Sequence, residues 1–283
     1  MNRPVSAFFQ RLFKTVLDAL FPFRCLVCGR FFDAPDIPRR QKLSHGIRAE
    51  INIPFGAIIE QLFSSYLCAG CVQEIIPVAT PICVTCGSMF KSRVGEDRLC
   101  GDCITSLKRY RIARAPVVYD QALMSLIHSF KYYGKVQLAK PLGGLLLHTF
   151  QRHWDAEGID VVIPVPLSGS RLKQRGFNQA GLLIQHWKKS ALEFAIDIAG
   201  LQIERSILVR KRSTVPQTGL GRYQRMVNMK NAFHVHEAEK IRGRRILLVD
   251  DVYTTGATVN ECTRELLDNG AQQVDVLTVA RAM

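Results

Sequence analysis

The sequence predicts an α/β protein in which a parallel sheet flanked by helices follows a cysteine-rich, metal-stabilised N-terminal region. Three observations predict it. Beyond residue 112, short apolar runs alternate with stretches of helical periodicity, as in a buried parallel sheet with crossover helices. One run, Ile246-Leu247-Leu248-Val249, delivers an acidic turn containing glycine, and ligands of such sheets gather at the carboxyl ends of strands. Before residue 112, eight of the nine cysteines stand as four C-x-x-C pairs.

Residues 1–22 read as an amphipathic helix. Val5, Phe8, Phe9, Leu12, Phe13, Val16, Leu17 and Leu20 recur at helical spacing, interrupted by Arg11, Lys14 and Asp18. The run is too short and too charged to span a bilayer. No small-residue cleavage site follows a clean apolar core, so a signal peptide is not expected and the expected location is the cytoplasm. A chain of 283 residues, 47% hydrophobic, can bury a proper core. Lys and Arg number 38 against 24 acids, a net charge of +14 that favours anionic partners: phosphates, nucleic acid or an acidic membrane face.

The cysteine pairs are Cys25/Cys28, Cys68/Cys71, Cys83/Cys86 and Cys100/Cys103. This spacing lets two thiolates of one tight turn face a single ion, and two such turns complete a tetrahedral zinc site. Disulfides are the alternative, and a reducing cytoplasm argues against them. Sequential pairing, first with second and third with fourth, is expected because residues 87–99 close a compact loop by themselves. A cross-braced arrangement would couple first with third. The stretch between the first two pairs reads as an insertion at about 33–62. Metal binding of roughly 10–16 kcal/mol would replace a core that so few residues cannot supply. Cys262, alone at an apolar helix position, is expected to be a buried thiol.

Residues 23–110 thus form the cysteine region and 112–283 the α/β domain. Ala115–Tyr119 reads as its first strand. Residues 121–131 and 136–150 read as helices, Val161–Val165 as a strand, 177–194 as a helix and Ser206–Val209 as a weak strand. Ile246–Val249 is followed by a helix at about 257–269 and a strand at 274–280.

After Val249 come Asp250 and Asp251, then Thr254, Thr255, Gly256, Ala257 and Thr258. The layout suits a sugar phosphate. A helix N-terminus offers free N–H groups and a positive dipole end to a phosphate. The threonines add hydroxyl donors, and the acids can accept hydrogen bonds from two sugar hydroxyls or hold charge beside Mg²⁺. Between Arg205 and His236 there is no acid at all, whereas Arg210, Lys211, Arg212, Arg222, Arg225 and Lys230 are basic. Such a block can also track a nucleic-acid backbone. Tyr223 and Phe233 are each readable as base-stacking or as core.

The run Val249–Thr258 resembles the signature for 5-phosphoribosyl-1-pyrophosphate (PRPP) in type I phosphoribosyltransferases. There two acids hold the ribose hydroxyls and the next loop cradles the 5′-phosphate. Further matches are Leu20-Phe21-Pro22 before Cys25, Lys131-Tyr132-Tyr133-Gly134, Pro164-Val165-Pro166 and Arg175-Gly176-Phe177-Asn178-Gln179. Gln217, Leu220, Arg225, Asn228 and Asn231-Ala232-Phe233 fit as well. With the cysteine pairs, the chain resembles the ComF family (competence protein F, also called GntX-like) over nearly its full length.

That resemblance implies a type I phosphoribosyltransferase-like parallel sheet behind a double zinc ribbon; the insertion departs from the usual compact ribbon. It implies a pyrophosphate loop at Val165, Pro166 and Arg175, and a mobile closing loop at Arg210, Lys211, Arg212 and Gln217. It implies PRPP bound with Mg²⁺ and a role in DNA uptake and natural competence. The fold would then serve either as a phosphoribosyltransferase or as a ligand sensor in a non-catalytic, single-stranded-DNA-binding factor. A third reading takes the ribbons as docking modules for a helicase-like partner. No side chain stands out as a general base, and the acceptor stays open.

Overall fold

The computed structural model describes residues 23–32, 54–211 and 229–283. The expected N-terminal helix, residues 33–53 of the insertion, and Arg212 and Gln217 lie outside them. The chain divides into two compact units, one up to Ile75 and one from Ile76 onward.

In the smaller unit β1 (Phe23–Arg24) pairs antiparallel with β2 (Phe31–Phe32). The tight turn between them carries Cys25 and Cys28 and closes with Gly29 N–H donating to the Cys25 carbonyl at 3.0 Å. The end of the expected insertion is a helix, Phe55–Phe63, that buries Ile59 and Phe63. A one-turn helix, Ala69–Gln73, starts directly after Cys68 and brings Cys71 inward.

The larger unit is built on a sheet of β3 (Ala113–Arg114), β4 (Val117–Val118), β5 (Val161–Pro164), β6 (Gln202–Ile203), β9 (Arg245–Tyr253) and β10 (Gln273–Arg281). The order is β3-β10-β9-β5-β6, with β4 also on β10. Every pairing is parallel. From β5 the chain runs outward to β6 and then returns on the other side of β5 to form β9. The connections therefore reverse between β5 and β9, and a crevice opens at the carboxyl ends of these two strands. Ile246, Leu247, Leu248 and Val249 are fully buried, as a strand covered on both faces requires.

The helix Gln121–Tyr132 starts where the Asp120 carboxylate accepts from Leu123 N–H at 2.9 Å. The helix Ala139–His153 is buried nearly all round between residues 141 and 150, including Leu142, Leu145, Leu146 and Leu147. A Cβ on Gly143 would stand 2.2 Å from the Leu183 carbonyl oxygen, so only glycine permits that close crossing.

Two local differences from the sequence reading have physical causes. The stretch 177–194 is two helices, Gln179–Leu183 and Trp187–Phe194. The break buries Trp187 against Phe150, with the indole N–H on the Gly143 carbonyl at 3.1 Å. The weak strand shifts to β7 (Leu208–Arg210), which leaves the main sheet and pairs antiparallel with β8 (Phe233–Val235). Phe233 is core, 4% exposed.

The division at residue 75 also differs from the boundary read near 112. Cys83 and Cys86 share one apolar cluster with Ile163, Ile246 and Leu248. Ala113 N–H donates to the Thr85 carbonyl at 2.7 Å, which joins the third cysteine turn to β3. Nearby, Val78 N–H donates to Pro116 and Val118 N–H to Ile76, so residues 76–78 line the outer side of β4. Asp275, fully buried in β10, accepts from Arg111 Nε at 3.0 Å and from Trp154 Nε1 at 2.7 Å. One carboxylate thereby joins the segment before β3 to the helix behind the sheet.

Candidate functional site

At the switch between β5 and β9 lies a cavity of about 330 Å³. The carboxyl end of β9 and the turn after it supply Asp250, Asp251, Thr254, Gly256, Ala257 and Thr258. The segment after β5 supplies Val165, Pro166, Leu167 and Arg171, followed by Arg175 and Gln179. Helix Gln121–Tyr132 adds His128, Lys131 and Tyr132, and β7 adds Arg210.

The turn owes its shape to Gly256. Its φ is +76°, a left-handed conformation that L-residues rarely adopt, and a Cβ there would fall 2.1 Å from the Tyr253 hydroxyl. The helix Ala257–Asp268 begins at the next residue. The Thr255 hydroxyl turns back to accept from Ala257 N–H at 3.4 Å. Thr255 is therefore a local cap and does not line the cavity. Strand β9 runs through Tyr253, four residues beyond the apolar run, so the two acids lie on the sheet itself.

Asp251 is 5% exposed and faces Lys131, whose Nζ stands 2.9 Å from each of its carboxylate oxygens. Burial alone would push Lys131 down, but the charge and hydrogen bond of Asp251 together with the Asp250 charge outweigh it and hold the ammonium above its ordinary range. Asp250 opens partly to the cavity. Burial, and then the Asp251 charge, push its carboxyl up to about 7.

The Arg175–Gln179 motif is largely scaffolding for the turn after β5. Arg175 donates to Gln179 Oε1 and to the Tyr132 hydroxyl, each at 3.0 Å, and lies over the Tyr132 ring at 4.8 Å. Gly176, at φ +78°, ends the short helix Gly169–Arg175. Asn178 Nδ2 holds the Val165 carbonyl at 3.1 Å, while its Oδ1 caps Ala180 N–H. Burial and the nearby Arg171 charge hold Arg210 below the usual arginine range. Around the cavity Lys131, Arg171, Arg175 and Arg210 face only Asp250 and Asp251. Such a cation excess in a partly water-excluded cleft favours an anion of several charges.

Of the residues read from sequence, the cleft unites Asp250, Asp251, Thr254, Gly256, Ala257 and Thr258 with Val165, Pro166, Arg175 and Arg210. Thr255 and Lys211 do not line it. Lys131, Tyr132 and His128 entered it without an assigned role. The signal was the Lys131–Gly134 motif, since a lysine ending an apolar helix is otherwise read as solvated.

The eight paired cysteines form two sets, Cys25/Cys28/Cys68/Cys71 and Cys83/Cys86/Cys100/Cys103, each with sulfurs within 4.8 Å of one another. Pairing is thus sequential. Cys28 and Cys68 sulfurs are 3.7 Å apart and Cys86 and Cys100 sulfurs 3.6 Å. A tetrahedral zinc with sulfur at ~2.3 Å has sulfur–sulfur edges of ~3.8 Å, so both sets fit that ion. The Arg30 guanidinium, 3.5 Å from its sulfur, brings the Cys28 thiol down to about 6. Burial pushes Cys83 up, but N–H groups of Cys86 and Cys100 outweigh it and bring the thiol to about 7. Cys262 is fully buried, as expected. No described helix is long and apolar enough to cross a membrane.

A family profile for the phosphoribosyl transferase domain matches residues 149–283. Competence protein F of Haemophilus influenzae is 33% identical over 220 residues, which cover 76% of this chain and 90% of that one. DNA utilization protein YhgH of Salmonella typhi is 30% identical over 234 residues, covering 77% and 97%. Competence protein ComFC of Streptococcus pneumoniae is 27% identical over 213 residues, covering 71% and 87%.

Proposed function

The chain belongs to the competence protein F family, and from that premise we propose that its cleft binds PRPP, to transfer or to sense a phosphoribosyl group during the uptake or use of DNA. The observation that carries this reading is the meeting, around one cavity, of two acids, a glycine turn at a helix N-terminus and four cations. The Thr254–Thr258 turn would take the 5′-phosphate on the free N–H groups of the helix Ala257–Asp268. Asp250 and Asp251 would accept from the ribose hydroxyls and are the residues that would hold Mg²⁺ travelling with the pyrophosphate. The turn at Val165 and Pro166, with Arg171 and Arg175 beside it, would receive the pyrophosphate. Positioning and stabilisation of the departing anion would supply the rate enhancement. The two cysteine sets would hold structural zinc with all four positions filled by protein, leaving none for a substrate.

Calorimetry with PRPP and Mg²⁺, paired with pyrophosphate release in the presence of candidate bases, tests the proposal. Binding abolished by the double change Asp250→Asn/Asp251→Asn is the expected result; no heat with the unaltered protein would end it. A second reading draws on the names of the relatives and the net charge of +14. In it the protein binds single-stranded DNA and the cleft only senses its ligand. Tight, salt-dependent strand binding without pyrophosphate release would favour that reading.

A further inference from the structure

We propose that Arg281 is a positioning residue that couples metal occupancy of the Cys83/Cys86/Cys100/Cys103 set to phosphate binding at the Thr254–Thr258 turn. This rests on the phosphate-binding reading of that turn.

Four residues in direct succession join the two sites. Arg281, the last residue of β10, is 7% exposed, and its Nη2 donates to Cys86 Sγ at 3.2 Å. Its Nε and Nη1 have no hydrogen-bond partner among the described residues. Its guanidinium lies over the ring of Tyr253, 4.1 Å from the centroid, and the two residues are in register across β10 and β9. The Tyr253 hydroxyl bonds to the Tyr110 hydroxyl and sits where a Gly256 side chain would be. The glycine turn therefore rests on Tyr253, Tyr253 rests against Arg281, and Arg281 rests on a cysteine of the metal set.

Metal occupancy gives this succession two states. A guanidinium buried without a counter-ion is costly. Four thiolates around a divalent zinc carry a net charge of about −2, which compensates Arg281 where it lies. When the ion leaves, nothing fixes Cys86 Sγ at its place in the set, and Arg281 loses the sulfur that holds its Nη2. Arg281 then gains by turning toward water, which withdraws the planar face against Tyr253. The tyrosine ring acquires room to move, and the turn at Gly256 loses the surface that fixes its N–H groups. A ligand that needs that turn preformed then binds more weakly.

Coupling between two binding equilibria is reciprocal, and reciprocity is the readout. The experiment uses the full chain with Cys28→Ser, so that only the second set retains zinc. Zinc affinity is measured by competition with a chromogenic chelator, with and without ribose 5-phosphate. We expect the sugar phosphate to tighten zinc by about fivefold or more, with metal removal weakening ribose 5-phosphate by the same factor. In Arg281→Met both ligands should still bind while the factor falls to near one. Arg281→Lys keeps the charge but loses the planar face over Tyr253, so its factor should fall as well; it stands in if the methionine variant does not fold. An Arg281 that only supported the fold would lower both affinities and leave the factor unchanged. Equal zinc affinity with and without ribose 5-phosphate, or coupling undiminished in the Arg281 variants, overturns the proposal. Failure of the zinc-loaded protein to bind any ribose 5-phosphate would overturn the phosphate-binding reading and this inference with it.

Discussion

Lys131 and Asp251 form a buried ion pair at 2.9 Å across the wall of the cleft, tying the end of a helix to the end of β9. Removing one partner leaves the other charge buried and alone. Lys131→Met should therefore destabilise the protein by about 3 kcal/mol in urea titration. It should also leave two acids facing an incoming phosphate, weakening PRPP by on the order of tenfold in calorimetry. Full affinity in this variant would show that the ammonium has no part in anion binding.

Ligand affinity should rise with pH. The folded value of Asp250, about 7, lies above its ordinary 3.8. Its contribution to stability is thus present in acid and is lost as pH rises through 7. Accepting hydrogen bonds from sugar hydroxyls requires the ionised form, so binding should strengthen about tenfold between pH 6 and pH 8. Ribose 5-phosphate titrates on its own account near pH 6, and Asp250→Asn should retain only that part. Superimposable pH profiles for the two proteins would remove Asp250 from the contact.

Asp275 serves architecture, not the ligand. Asp275→Ala would strand the buried Trp154 indole N–H, while the half-exposed Arg111 guanidinium could turn to water, and should cost about 2 kcal/mol. Affinity per folded molecule should be unchanged. Chemical denaturation and calorimetry on the same sample separate the two effects.

Acid unfolding should include the Asp160–Arg245 pair. Hydrogen bonds from Arg245 hold the Asp160 carboxyl down at about 2. A depressed carboxyl contributes stability above its ordinary 3.8 and loses it as pH falls toward 2. Asp160→Asn should lower stability across the neutral region and flatten the profile below pH 4, where the wild-type contribution is lost.

Much of this was legible in the residues. The apolar run at Ile246–Val249, the acids after it and Gly256 needed only strand burial and the backbone freedom of glycine to be placed. The cysteines sorted themselves by loop length. What stayed hidden depends on contacts between distant segments. Nothing near Lys131 in sequence says that Asp251 will meet it, because the partner comes from a strand far along the chain. Nor does the Cys83/Cys86 turn show that its flanking residues will bond to β3, which pulled the second cysteine set into the larger unit. The break before Trp187 follows from the groove left by Gly143, again a partner remote in the chain.

The hydrogen bonds from Ala113 to Thr85 and from Val118 to Ile76 have one more outcome. They occupy the rim of the sheet, where unpaired N–H and C=O groups would otherwise offer a template for strands of other molecules. Zinc at the second cysteine set would hold that cover closed. Starved of zinc, the chain should begin to self-associate at concentrations where the zinc-loaded chain stays dispersed.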